Sequence, residues 1–268
     1  MTISLNGFEK EVMFISELMK KVGKIILDNY DAPGGVERKG DGTLVTDIDK
    51  KVSRMISSAL EESFPEYGIL DEEGGGKGLE KRRMWIVDPL DNTKGYVEKT
   101  NDFGVIIGLN ENDETVFGAT YNPKVDEFAY AGKGVGSYLT TEGKTIRLRV
   151  SESEKIHALV SRTRKSQELN AMLYQLNADS IKYIGGALKT IEVAKGTVTL
   201  FLCPRKYKMH SWDLCAPSLI LEEAGGKITD VYGNKLDYKN SDHRIYNGVV
   251  ATNGKIHDMV LERISNVL

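Results

Sequence analysis

Residues 84–96 read MWIVDPLDNTKGY. Trp85, Ile86 and Val87 are a short apolar run that predicts a buried strand, and the run leads straight into Asp88, Pro89, Leu90 and Asp91. Proline has no N–H to give to a ladder, so the strand is expected to close on Asp88, with Asp91 turning out of the sheet. Asp91, Asn92 and Thr93 then read as a helix start, because all three side chains accept hydrogen bonds from nearby backbone amides. A helix start leaves free N–H groups that suit a phosphate. Two carboxylates within about 5 Å raise each other's pKa unless a divalent cation lies between them. With no Cys or His beside them, such hard oxygen donors select Mg2+ or Mn2+ over zinc. A bare D-P-x-D is equally well an ordinary turn, since Asp and Pro are common turn formers.

Company changes that balance. ILDEEGG, residues 69–75, also ends a strand candidate in acids, here Asp71, Glu72 and Glu73. Asp213, in HSWDLCAP, opens a helix that is otherwise apolar. Singly, Glu72 reads as a solvated loop acid and Asp213 as a first-turn acid. Three such clusters at strand ends and helix starts point together to a cation site.

Outward from this stretch, Phe8, Val12, Ile15, Met19, Val22 and Ile26 recur at three- and four-residue steps and predict an amphipathic helix over about 6–30. A Gly-containing loop follows. Thr46, with Asp49 three residues on, then forms a capping-box pattern ahead of a helix carrying Val52, Met55, Ile56 and Leu60 on one face. GGGKGLEKRR reads as a flexible joint between the two acid-ended strands. From 102 to about 150, strand-like runs separated by turn chemistry predict an antiparallel meander. After 150, strands and helices alternate as in a layered α/β unit, with a terminal helix from Ile256. The expected division is an α+β half at 1–150, holding most of the acids, and an α/β half at 151–268, holding Asp213.

The chain has 268 residues, 40% of them hydrophobic and 28% charged, with a formal net charge of −3. That suits a globular protein with a substantial core and gives no basic footprint for a nucleic-acid polymer. No apolar stretch approaches the ~18 residues of a membrane span. The start MTISLNGFEKEVMF lacks the basic-then-apolar layout of a signal peptide, so a cytoplasmic protein is expected. Cys203 and Cys215 are the only cysteines, too few for a disulfide framework, and read as packing residues. The histidines at 157, 210, 243 and 257 have no ligand spacing. Arg205, Lys206 and Lys208 form a basic tripod just before Asp213 that would suit a second phosphate, although loop lysines are mostly solvated.

WIVDPLDNT resembles the D-P-[IL]-D-[GN]-T signature of the inositol monophosphatase superfamily. LVTDID resembles its V-T-x-x-D segment, DEE its G-E-E loop and SWDLCA its W-D-x-x-A motif, in the family's order and over about residues 8–265. The resemblance implies an αβαβα layered sandwich of the inositol monophosphatase and fructose-1,6-bisphosphatase type. DNTKGY, GGALK and WDLCAP are most similar to the 3′(2′),5′-bisphosphate nucleotidase branch, which implies removal of the 3′-phosphate of 3′-phosphoadenosine 5′-phosphate. Inositol 1-phosphate, fructose 1,6-bisphosphate and histidinol phosphate remain alternatives. So does, from another class, a non-catalytic phosphate-binding regulatory module.

By this resemblance Glu72, Asp88 and the Leu90 carbonyl hold one Mg2+, Asp88, Asp91 and Asp213 a second, and a third ion sits near Glu72. Thr93 and Asp49 resemble the family's water-positioning couple, although capping the second helix would by itself account for Asp49. The amides of Asn92 and Thr93 cradle the phosphate; Asn92 stands where Gly is usual and tolerates a left-handed backbone. Lys189 matches a lysine lining the nucleotide side, unless it is merely an exposed helix lysine. Ser161 matches the start of a substrate-touching loop in which Arg164 replaces the family's His. The resemblance also implies lithium sensitivity and a small phosphorylated substrate as partner; homodimers are common in the family, and no membrane partner is expected.

Overall fold

Helix α1, Glu9–Asp28, follows from the apolar spacing and buries Val12, Ile15, Met19, Val22 and Ile26. It opens a computed structural model that describes residues 5–40, 42–112, 114–186, 188–207, 209–238 and 242–268. The Gly-containing segment expected as a loop forms a short antiparallel hairpin, β1 (Val36–Arg38) and β2 (Leu44–Thr46). Helix α2, Asp47–Ser63, starts where the capping box places it: the Thr46 side chain accepts from the Ile48 and Asp49 amides, and Asp49 accepts from the Thr46 amide at 2.8 Å. Strand β3 (Gly68–Asp71) returns on β4 (Gly75–Lys77), so part of the expected flexible joint is a paired edge strand.

Strand β5, Arg83–Asp91, lies parallel to β3 and corrects the reading of Pro89. Pairing with the next strand, β6 beyond helix α3 (Thr93–Val97), does not end at Asp88. Asp88 sits opposite Ile106 and Asp91 opposite Gly104. Three steps along β5 thus match two along β6 (Gly104–Glu111), which is a bulge. Residues three apart on a regular strand point to opposite faces; the extra residue resets the alternation and lets both carboxylates serve one side.

The meander continues through β7 (Glu114–Asn122), β8 (Glu127–Gly132), β9 (Gly136–Thr141) and β10 (Lys144–Arg147). It completes an eight-stranded sheet of order β10-β9-β8-β7-β6-β5-β3-β4. The second half runs β11 (His157–Ser161), α4 (Gln167–Leu176), β12 (Ser180–Ile184), α5 (Lys189–Ala194) and β13 (Leu200–Cys203). It closes with β14 (Met209–His210), α6 (Ser211–Glu223), β15 (Lys227–Thr229), β16 (Arg244–Ile245), β17 (Val249–Thr252) and α7 (His257–Ser265). Its five-stranded sheet has the order β12-β11-β13-β17-β15, with β11 parallel to both β12 and β13.

Three apolar cores stack these elements. The first joins α1 and α2 to one face of the large sheet, the second joins its other face through α5 and α6 to the small sheet, and the third joins the small sheet to α4 and α7. The result is the αβαβα sandwich. Because α6 lies between two sheets, it is apolar on every side and buries Leu214, Cys215, Ala216, Leu219, Ile220 and Leu221. Gly118 lets it come close: a Cβ there would stand 2.8 Å from the Ala216 Cα. The close seat of α6 fixes where Asp213, on its first turn, meets the end of β5. Among the described residues, no helix is long and apolar enough to cross a membrane.

Candidate active site

Asp88 and Asp91 come from the bulged end of β5 and Asp213 from the first turn of α6. Carboxylate oxygens of the three lie within 4.8 Å of one another. Asp88 and Asp213 are fixed locally. Asp88 Oδ1 accepts the Leu90 amide at 3.0 Å, and Asp213 Oδ2 accepts the His210 amide at 2.8 Å while His210 stacks on Trp212. Burial, with Glu72, Asp91 and Asp213 adding to it, pushes the Asp88 carboxyl well above the ordinary carboxylate range. Such a cluster needs a countercharge.

Glu72 stands beside this group but is turned to Lys39 of the β1–β2 hairpin, whose ammonium lies 2.7 Å away and also pairs with Glu73. Burial raises Glu72 to about 7 against the pull of Lys39, with Asp213 pushing the same way as burial. Asp71 does not face the cluster. It accepts the Ser53 and Ser57 hydroxyls and the Glu73 and Gly74 amides, and so shapes the turn that carries Glu72. Thus the donors at the end of β5 are hard oxygens of one sign, gathered at ligand spacing. That set fits Mg2+. Bound there, Mg2+ would neutralise phosphate oxygens, acidify water and stabilise a leaving alkoxide.

The Thr93 hydroxyl lies 2.7 Å from Asp49 Oδ1 and 3.2 Å from the Leu90 carbonyl. The other Asp49 oxygen takes the Thr46 hydroxyl and amide. One carboxylate therefore both caps α2 and accepts the Thr93 hydroxyl. Burial raises Asp49, and the bonds from Thr46 and Thr93 partly offset it. Asn92 is left-handed, with φ 62° and ψ 51°. Its Oδ1 accepts the Gly95 amide at 3.3 Å, and its Nδ2 donates to the Asp102 carbonyl at 2.6 Å.

On the substrate side the picture changes from the sequence reading. Lys189 is not an exposed helix lysine; it is 4% exposed, donates to the Gly186 carbonyl and lies 5.2 Å over the Phe201 ring. Burial and the neighbouring Arg164 lower it to about 8, while Asp91 pulls the other way. Arg164 reaches Cys203 Sγ at 3.8 Å. Ser161, at the end of β11, turns its hydroxyl back to accept the Arg164 amide at 3.2 Å.

Two members of the basic tripod are described, and they do not act together. Arg205 is committed to Glu168 and to the Tyr232 hydroxyl, both at 2.7 Å, Lys206 is exposed, and Lys208 lies outside the described residues. Sequence reasoning missed Lys39, hidden in the glycine loop, and Asp102, taken as the plain start of a strand. A lone charged residue beside a turn gave no signal for either.

The chain matches the inositol monophosphatase family model over residues 9–268 and belongs to that family, whose members are metal-dependent phosphomonoesterases. It is 30% identical over 261 residues to the fructose-1,6-bisphosphatase/inositol-1-monophosphatase of Thermotoga maritima, covering 95% of this chain and 96% of the relative. It is 32% identical over 243 residues to the inositol-1-monophosphatase of Caulobacter vibrioides, covering 85% and 90%. The solved structure of Thermotoga maritima IMPase superposes with a TM-score of 0.83 at 28% identity, covering 96% of this chain and 98% of that one.

Proposed function

We propose that the protein removes the 3′-phosphate of 3′-phosphoadenosine 5′-phosphate, using two or three Mg2+ ions. The observation that carries the substrate reading is the buried Lys189 with the half-buried Arg164, near Asp91: two cations beside the acid cluster suit a substrate with a second phosphate. Asp88, Asp91 and Asp213 hold one ion; Glu72, Asp88 and the Leu90 carbonyl hold another, with a third near Glu72. To join them, Glu72 exchanges its ammonium partner Lys39 for the ion.

The amides of Asn92 and Thr93 cradle the phosphate to be cleaved. Thr93 holds the attacking water, whose oxygen bonds to phosphorus as the ester P–O bond breaks; the water's proton passes along the Thr93 hydroxyl to Asp49, and the 3′-oxygen leaves as an alkoxide that takes a proton from solvent water. The second phosphate meets Lys189 and Arg164 rather than Arg205 and Lys206, and Ser161 shapes the loop that carries Arg164. Free, buried Cys203 and Cys215 support a reducing, cytoplasmic setting.

A second reading, inositol 1-phosphate, is favoured by the names of the relatives in Thermotoga and Caulobacter. Phosphate release from the nucleotide, from inositol 1-phosphate and from fructose 1,6-bisphosphate under one set of conditions decides between them. The proposal expects the highest kcat/KM for the nucleotide. A preference for inositol 1-phosphate would overturn the substrate and leave the metal chemistry standing.

A further inference from the structure

We propose that Asp102 is a positioning residue that clamps Gly185 and Gly186, and through them Lys189, onto the turn bearing Asp91 and Asn92. Asn92 Nδ2 donates to the Asp102 carbonyl at 2.6 Å. The Asp102 carboxylate in turn accepts the Gly185 amide and, at 3.0 Å, the Arg162 guanidinium. The Gly186 carbonyl then takes the Lys189 ammonium. These contacts form one continuous chain from the phosphate turn to the buried lysine.

The packing allows no slack along it. A Cβ at Gly185 would stand 2.2 Å from Asn92 Nδ2, and one at Gly186 would stand 2.4 Å from Asp91 Oδ2. Gly186 also has φ +65°, open to glycine and strained for other residues. Bare backbone is therefore what lets this segment seat against the acids. Burial raises Asp102, but its neighbours, among them the Gly185 amide and Arg162, outweigh it and keep the carboxyl below its ordinary range, so the clamp is charged. The family's usual glycine at 92 has no side chain to reach Asp102, so this link belongs to the asparagine found here.

The role assigned to Lys189 rests on the reading that it meets a second phosphate. Asp102→Ala is expected to raise KM for the two-phosphate ester about tenfold, with kcat held within about twofold and the half-saturating Mg2+ unchanged. Asp102→Asn keeps an acceptor for Gly185 and gives a smaller rise. Asn92→Gly raises KM in the same direction, and the double variant is no worse than Asp102→Ala, because both break one chain. Hydrogen exchange reads the clamp without any substrate: the Gly185 amide loses protection in Asn92→Gly and in Asp102→Asn. Unchanged protection in both overturns the clamp, as does a fall in kcat and melting temperature with no change in KM, or additive effects in the double variant. If the wild type rejects the nucleotide, the proposed function fails separately, and the protection of the Gly185 amide alone decides the clamp. If Asp102→Ala does not fold, Asp102→Asn and Asn92→Gly carry the test.

Discussion

Asp88, Asp91 and Asp213 on one side of the site, and Lys189 and Arg164 on the other, are clusters of like charge in which Asp88, Asp91 and Lys189 are buried and Asp213 and Arg164 half-buried. Burial comes first in shifting both, and neighbours of the same sign add to it: Asp88 is pushed far up and Lys189 down to about 8. Holding Asp88 and Lys189 charged in these surroundings costs stability, and a ligand of opposite charge would relieve it. They differ in what surrounds them. The acids face one another with oxygens at ligand spacing, which suits one small hard ion. The cations are spread against a carbonyl, a ring and a thiol, which suits a larger anion. The difference teaches that the two ends were built by different means, one by short motifs and the other by packing.

Breaking the acid end has the largest expected effect. Asp88→Asn should lower turnover roughly a thousandfold or more, since it deletes a shared ligand. The melting temperature should hold or rise, because a repelled buried charge is gone. An active variant would detach Asp88 from the chemistry, and an unfolded one would make it structural.

At the cationic end, Lys189→Met keeps the packing and removes the charge. KM for the two-phosphate ester should rise about 30-fold, while KM for inositol 1-phosphate changes less than about threefold. In the wild type, Lys189 loses its proton as pH climbs past about 8, so kcat/KM for the two-phosphate ester should fall there, and this limb should be missing in Lys189→Met. Equal KM changes for the two esters would erase the contrast between the two ends.

His257 sharpens the comparison as a buried group with no ligand to await. It sits between the Thr229 and Thr252 hydroxyls, each 3.0 Å away, and burial, with Lys227 adding, lowers it to about 4. The unfolded chain takes up this proton near pH 6.5 and the folded one only near 4. Its contribution to stability is therefore complete above about pH 6.5 and is lost as pH falls toward 4. Urea midpoints should drop from pH 7 to pH 5, and the drop should be smaller in His257→Asn. An identical drop in the variant would put the acid sensitivity elsewhere.

The layered fold was legible because α1, α2 and the meander carry clean periodicity, and the capping box set the start of α2 to the residue. The acids and the Asp49–Thr93 couple were legible because each stands in a short local pattern. The bulge at Pro89 was not, since a proline can end a strand or kink it and only the partner strand decides. Lys189 was ambiguous because a first-turn helix lysine is usually solvated; only the covering by Phe201 and Arg164, each distant in sequence, makes it buried. Lys39 and Asp102 act across 33 and 83 residues of chain, which no local spacing reveals.

The central claim is that the acid end and the cationic end are two halves of one site, joined through a metal. Calorimetric titration of inorganic phosphate with and without Mg2+ tests it most directly, since coupling between two ligands must be reciprocal. Saturating Mg2+ is expected to tighten phosphate binding at least about tenfold and phosphate to tighten Mg2+ equally, with both effects lost in Asp88→Asn. Phosphate binding of equal strength with and without Mg2+ would contradict it.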